Sequence, residues 1–199
     1  MRKTTTLPPA YFEAKYQADI DPWRFRTSDY ERRKYEATVA ALTLPRYRRA
    51  LEVGCSIGEL TRMLALRCET LLALDGSETA ISEARRQTPA NVTFGVAWLP
   101  DAFPAGTFDL IVLSEVLYYF SAPDLTQIAR RCAAALDPEG EIILCHWLGE
   151  TDYPLSGDRA SDLFAAEMAF SLPVQTRLHD ETYRLERLSA RPRRADDEV

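Results

Sequence analysis

The sequence predicts an α/β fold: a doubly wound, Rossmann-like open sheet, mostly parallel, with an antiparallel edge hairpin and an N-terminal helical lid. Three observations carry this expectation. From about residue 49 short apolar runs alternate with helical patterns, the signature of βαβ units and a parallel sheet. The runs are almost continuously apolar, as in strands buried on both faces. The last two strand-like runs are separated only by a short link around Asp180-Glu181, which suggests an antiparallel pair.

The elements follow in order. Residues 1–45 precede the alternation and form the expected lid. Within them Asp21-Pro22-Trp23-Arg24-Phe25 is a turn carrying large aromatics, and Ser28-Asp29-Tyr30-Glu31 has the form of a capping box that starts a helix. That helix runs to about Leu42 and is ended by Pro45. The first strand is Ala50-Leu51-Glu52-Val53, ending at Gly54; a helix over 59–67 places Leu60, Met63 and Leu64 on one face. The second strand, Thr70-Leu71-Leu72-Ala73-Leu74, ends at Asp75, and Ser77 caps a helix to Gln87 that is stopped by Pro89. Val92-Thr93-Phe94 is a weaker third strand, and Phe108-Asp109-Leu110-Ile111-Val112-Leu113 a strong fourth. Ser121-Ala122-Pro123-Asp124 caps a helix whose Leu125, Ile128, Ala129 and Cys132 make a core-facing stripe. Pro138-Glu139-Gly140 is expected to turn into the fifth strand, Ile142-Ile143-Leu144-Cys145; a helix over 158–170 and strands over 174–179 and 182–188 complete the domain. The expected division is a lid (1–45), a binding domain (46–190) and a charged tail (191–199).

The chain has 199 residues and a formal net charge of -6. That balance argues against a nucleic-acid or anionic-membrane binder, both of which want a basic surface. No apolar run approaches the length of a membrane span. The start, MRKTTTLPPAYFEAKYQ, lacks the apolar core of a secretory signal. Cys55, Cys68, Cys132 and Cys145 sit in or beside apolar runs without C-x-x-C spacing and read as buried free thiols in a reducing cytoplasm. Only two histidines, His146 and His179, are present, so no His-rich metal site is expected.

The chemistry concentrates where strands end. Gly54 and Gly58 flank a turn between the first strand and its helix. Gly54 permits close backbone approach to a ligand, and Gly58 lets the helix start near the sheet. Seventeen residues after Gly58 the second strand ends in Asp75, the place where an acid accepts hydrogen bonds from a ribose diol. Together they point to an adenosine-containing cofactor. A dinucleotide site wants G-x-G-x-x-G; here Ser56 replaces the middle glycine, and Glu52 brings a carboxylate to the turn. That carboxylate would repel a pyrophosphate but suits a cationic ligand, which weakens a nicotinamide dehydrogenase reading.

These motifs resemble those of class I S-adenosylmethionine-dependent methyltransferases. LEVGCSIGEL is similar to their first motif, LLALDGS to the ribose-binding acid, FDLIVLSEVLYYF to the fourth-strand motif and LDPEGEIILCHW to the fifth. More narrowly, DPWRFRTSDYERRKY with the EVLYY element resembles the nodulation protein S group of N-methyltransferases, which methylate the free amine of a deacetylated chitooligosaccharide. The resemblance implies S-adenosylmethionine as cofactor, with Glu52 near its methionine amine, the stretch Gly54 to Gly58, Cys55 included, along its tail, and Asp75 with Gly76 at the ribose. It puts Ala97 and Trp98 beside the adenine, where an acid is more usual, and Ser114 under the cofactor. Tyr30 and Lys34, four apart on one helix face, would reach the methionine carboxylate, with Trp23 closing above; their alternative is a solvated charged face.

Methyl transfer is an in-line displacement, so positioning supplies most of the rate, and an amine acceptor must present a lone pair. Glu115, leaving the fourth strand, is the candidate proton acceptor; the alternative is a solvated glutamate. Tyr118 and Tyr119 follow it, as sugar or cation contacts or as core aromatics. His146, ending the fifth strand, is a candidate base or a ring satisfied by a neighbouring backbone group, and Trp147 is a sugar platform or a core residue. The expected acceptor is a small molecule, an amine or amino sugar. Two further readings stay open: O-methylation with His146 as base, and a catalytically silent cofactor-binding module.

Overall fold

The computed structural model describes residues 2–169 and 172–190. Among these residues seven strands form one sheet in the order β3-β2-β1-β4-β5-β7-β6. These are β1 (Tyr47–Val53), β2 (Cys68–Asp75), β3 (Val92–Val96), β4 (Phe108–Ser114), β5 (Leu136–Trp147), β6 (Val174–His179) and β7 (Tyr183–Ser189). β1 to β5 pair in parallel, and β7 runs antiparallel to both β5 and β6. The alternation and the edge hairpin therefore stand as the sequence predicts. The expected tail, 191–199, lies outside the described residues.

The helices are α1 (Pro9–Ala18), α2 (Asp29–Ala40), α3 (Glu59–Ala65), α4 (Glu78–Ala84), α5 (Ala122–Ala135) and α6 (Gly157–Met168). Tyr35 of α2, Leu60 and Leu64 of α3, and Ile81 and Ala84 of α4 fill the core on one face of the sheet. Leu125, Ile128, Ala129 and Cys132 of α5 and Phe164 of α6 fill the core on the other. Ser28, Ser77 and Ser121 accept from the N–H groups of Glu31, Ala80 and Asp124, so three capping readings match the structure. No helix among the described residues is long and apolar enough to cross a membrane.

Two elements differ from expectation. Pro138-Glu139-Gly140 does not precede β5 but lies inside it, where the pairing with β4 shifts register between Phe108 and Leu110. The extra residues are taken up as a bulge, with Asp137 Oδ1 accepting from the Glu139 N–H at 3.1 Å. The sequence reading also missed α1. Pro9 opens it at the first helical position. Phe12 and Tyr16 are its buried residues, and their burial comes from lying across the carboxyl ends of the strands.

All four cysteines are buried, and none is bonded to another. Burial pushes each thiol above its ordinary range, which makes them poor nucleophiles.

Candidate active site

A cavity with about 1060 Å³ of space between protein atoms, its mouth included, opens at the carboxyl ends of β1, β2, β4 and β5. This is the topological switch point, where β1 leads on one side to β2 and on the other to β4. Trp23, Tyr30, Lys34, Gly54, Asp75, Gly76, Ala97, Trp98, Glu115 and Tyr118 line it. Glu52, Cys55, Gly58, Ser114 and His146 do not.

The Gly54 turn hangs on the second strand: Leu74 O accepts from the N–H groups of Gly54 (2.8 Å) and Cys55 (3.0 Å). Gly54 has φ +81, and a β-carbon there would stand 3.1 Å from Val116 Cβ, so only glycine fits without strain. Asp75 closes the turn. Its Oδ2 accepts from Ser56 N–H and its Oδ1 from Ser77 N–H, both at 2.9 Å. Burial raises its pKa above the ordinary carboxylate range, and those backbone donors offset only part of the rise. Trp98 lies over Gly76, where a β-carbon would meet Trp98 Cε3 at 2.4 Å. Phe12 and Phe120 tilt against the same indole at 5.4 and 5.3 Å between centroids. This end of the cavity is a flat apolar slot beside a carboxylate.

The other end is charged. Glu115 has φ +57, a left-handed conformation that costs a non-glycine residue roughly 1 kcal/mol or more. Its N–H donates to Cys145 O at 2.7 Å, which ties the turn to β5. Its Oε1 accepts from Lys34 Nζ at 2.5 Å; its Oε2 accepts from Tyr118 Oη at 2.5 Å and from Trp147 N–H at 3.0 Å. Burial alone would raise this carboxyl; Lys34 and the Tyr118 hydroxyl reverse that and hold it below its ordinary value. Lys34 is 1 % exposed and also meets Glu31, at 3.0 Å to Oε1 and 2.8 Å to Oε2. Burial raises the Glu31 carboxyl and Lys34 pulls it back; formally, Glu31, Lys34 and Glu115 together sum to one negative charge.

Five of the expected site residues fall elsewhere. Side chains alternate along a strand, so Val53 faces the cavity and Glu52 the opposite face. There Glu52 is 1 % exposed, burial pushes its pKa up to about 7, and Oε2 has no hydrogen-bond partner. Its carboxylate does not reach the cavity. Gly58 is buried at the N-cap of α3, against Ala84 and Phe94. Cys55 and Ser114 line an adjoining recess of about 320 Å³ by the same measure, beneath the Gly54 turn.

His146 is fully buried. Its Nε2 accepts from Leu117 N–H at 3.2 Å, and its Nδ1 lies 3.3 Å from Ser161 Oγ. With the Nε2 lone pair occupied, the ring is a satisfied core histidine rather than a base. Burial pushes its pKa down to about 4 from 6.5. Protons therefore favour the unfolded chain in that window, and the stability contributed above pH 6.5 is lost as the pH falls toward 4. His146→Gln is expected to make unfolding free energy less acid-sensitive, by about 2 kcal/mol between pH 7 and pH 4.5. Urea titrations of both proteins at the two pH values measure this; equal acid sensitivity would contradict it.

Tyr30 and Lys34 line the cavity, but the ammonium is held by two carboxylates of the chain itself. It is not free to take a ligand carboxylate. Tyr119 and Trp147 also line the cavity. Residues the sequence reading missed include Phe12, Tyr16, Glu31 and Tyr153; Ser56, within the Gly54–Gly58 stretch expected at the cofactor tail, lines the cavity. Phe12 and Tyr16 stand four apart behind Pro8-Pro9, a helix-face signal that was present. Tyr16 Oη donates to Ser56 Oγ at 2.5 Å, pinning α1 to the glycine turn. Tyr153 stacks on Tyr118 at 5.6 Å from the loop before α6, which no local pattern places.

An adenosine-containing group fits these residues: a carboxylate at the end of β2, an apolar slot under Trp98, and a turn whose backbone a ligand can approach at Gly54. Comparison with known proteins agrees. The family model of nodulation protein S matches residues 12–149. Nodulation protein S of Rhizobium tropici is 36% identical over 102 residues, covering 50% of this chain and 43% of that protein. The chain spans between 43 and 61% of the length of the first curated relatives it matches. A putative methyltransferase from Pseudomonas syringae superposes with TM-score 0.71 at 37% identity, over 80% of this chain and 98% of that one. The N-methyltransferase NodS of Bradyrhizobium japonicum, in complex with S-adenosyl-L-homocysteine, shares the fold with TM-score 0.76 at 21% identity, over 92% of this chain and 98% of that one. On the extent of the matched segment, the chain belongs to the nodulation protein S family and has the class I methyltransferase fold.

Proposed function

We propose that this protein is an S-adenosylmethionine-dependent methyltransferase whose acceptor is a cationic amine. The observation that carries the acceptor class is the Glu31–Lys34–Glu115 cluster, one net negative charge walled by the rings of Tyr30, Tyr118 and Trp147. Aromatic faces and excess anion both attract an ammonium and disfavour an anionic acceptor. Asp75 would hold the ribose diol, Gly54 and Ser56 the tail, and Ala97, Trp98 and Leu99 the adenine. When bound, S-adenosylmethionine supplies an electrophilic methyl on a sulfonium whose sulfur leaves as a neutral thioether. The chain's own task is to orient the acceptor nitrogen and take the proton that frees its lone pair; Glu115 is the carboxylate placed to accept it.

The amine of an amino sugar, including a deacetylated chitooligosaccharide, is the finer reading. An open groove lined by Arg2, Tyr11, Trp147, Glu150, Thr151, Asp152 and Tyr153 shares Trp147 and Tyr153 with the cavity. It supports an acceptor whose body extends outward past aromatic faces. In this reading residues 1–45 are the cover of the site and 46–190 the binding domain. A methyl-donor consumption assay over amino sugars, deacetylated chitooligosaccharides and phenols tests it. Turnover of amines alone supports the reading; turnover of phenols alone replaces it with O-methylation; S-adenosylhomocysteine binding without any turnover leaves a silent module.

The slot has its own test. Gly76→Val forces Trp98 to move, and S-adenosylhomocysteine affinity measured by calorimetry is expected to fall ~10-fold or more. Unchanged affinity would remove both residues from the cofactor site.

A further inference from the structure

We propose that Lys34 is a positioning residue for Glu115: with Glu31 behind it, it fixes the aim and the charge of that carboxylate and touches neither reactant. This rests on the amine-methyltransferase reading. The geometry carries it. Three donors from three parts of the chain hold the Glu115 carboxylate: Lys34 Nζ from α2 on Oε1, and Tyr118 Oη and Trp147 N–H on Oε2. Lys34 is almost wholly buried, and a buried ammonium persists only where its charge is met. Here two carboxylates meet it, Glu31 three residues before it and Glu115 across the cavity. The ring of Tyr30 adds its face, 5.0 Å from Nζ.

Removing the cation leaves two largely buried carboxylates facing one another, and one of them takes a proton. The ionisable groups packed around Glu115 are Tyr30, Glu31, Lys34 and Tyr35 on α2, Tyr118 and Tyr119 after β4, and Cys145 and His146 on β5. Of these, His146 is uncharged near neutral pH and the phenols and the thiol titrate high. Lys34 is thus the cation that keeps Glu115 ionised. Because α2 precedes the sheet in the chain, the N-terminal segment does more than cover the cavity. It completes the charge set of the reacting end.

The test compares wild type, Lys34→Met, Lys34→Arg and Glu31→Gln. The Glu115 carboxyl is titrated by NMR on protein labelled at the glutamate δ-carbon, and kcat and KM are measured against pH. For Lys34→Met the Glu115 midpoint is expected to rise by about one unit or more, with kcat at pH 7 down ~10- to 100-fold. S-adenosylhomocysteine affinity should stay within ~3-fold of wild type. Lys34→Arg should restore most of both. Glu31→Gln removes an anion but keeps the cation, so the midpoint should move down; this opposite sign decides the matter if Lys34→Met does not fold. An unmoved Glu115 midpoint in both variants overturns the proposal. So does a ~10-fold or larger loss of S-adenosylhomocysteine affinity with unchanged kcat in Lys34→Met, which would return Lys34 to the cofactor. If wild type methylates no amine, the functional reading fails separately, and the Glu115 titration still decides the role of Lys34.

Discussion

Glu115→Gln is expected to lower kcat/KM for an amine acceptor by ~100- to 1000-fold, while S-adenosylhomocysteine binding, measured by calorimetry, stays near wild type. The reason is local. The glutamine keeps the size of the side chain and can still accept from Trp147 N–H, whose bond to Oε2 is 3.0 Å. It loses the negative charge opposite Lys34 and the capacity to take a proton from the acceptor. The cluster Glu31–Lys34–Glu115 then changes from one net negative charge to none, so KM for a cationic acceptor should rise as kcat falls. Undiminished turnover would remove Glu115 from the reaction. The pH dependence has a defined sign as well. Lys34 and the Tyr118 hydroxyl hold Glu115 below its ordinary value, so the carboxylate persists through neutral pH. Any loss of activity traced to Glu115 belongs on the acid side of the profile.

Asp75→Ala should weaken S-adenosylhomocysteine binding by ~10- to 100-fold, the range expected when hydrogen bonds to a charged group are lost. Part of that loss is indirect. Asp75 accepts from the N–H groups of Ser56 and Ser77, so alanine also releases the glycine turn and the cap of α4. Asp75→Asn, which retains acceptor capacity at one oxygen, should fall between the two. Calorimetry on the three proteins separates these contributions. Normal binding by Asp75→Ala would overturn the ribose assignment.

The reach of the sequence is clearest where strands end. Gly54 and Asp75 were readable because each is a residue type demanded at one backbone position: a left-handed turn against Val116 and an acid at the exit of β2. Glu115 was readable as a carboxylate at the end of β4, though not its left-handed backbone. Glu52 shows where such reading stops. It adjoins the turn in sequence, yet the pleat sends it to the face away from the cavity. For His146 the sequence allows both a functional and a satisfied role, and only the approach of Leu117 N–H and Ser161 selects the second.

By itself the sequence determined the parallel sheet, its antiparallel edge, the caps of α2, α4 and α5, and the placing of Gly54 and Asp75 together at the strand ends. Apolar periodicity, capping side chains and turn residues act within a few positions of one another, so a linear reading detects them. The tertiary structure alone decided that α1 lies over the strand ends with Phe12 and Tyr16 in the cavity. It also decided that Lys34 meets Glu115, 81 residues away, instead of a ligand. These are contacts between elements distant in the chain, and their energy depends on burial and on which charges share a low-dielectric space. No local pattern encodes that.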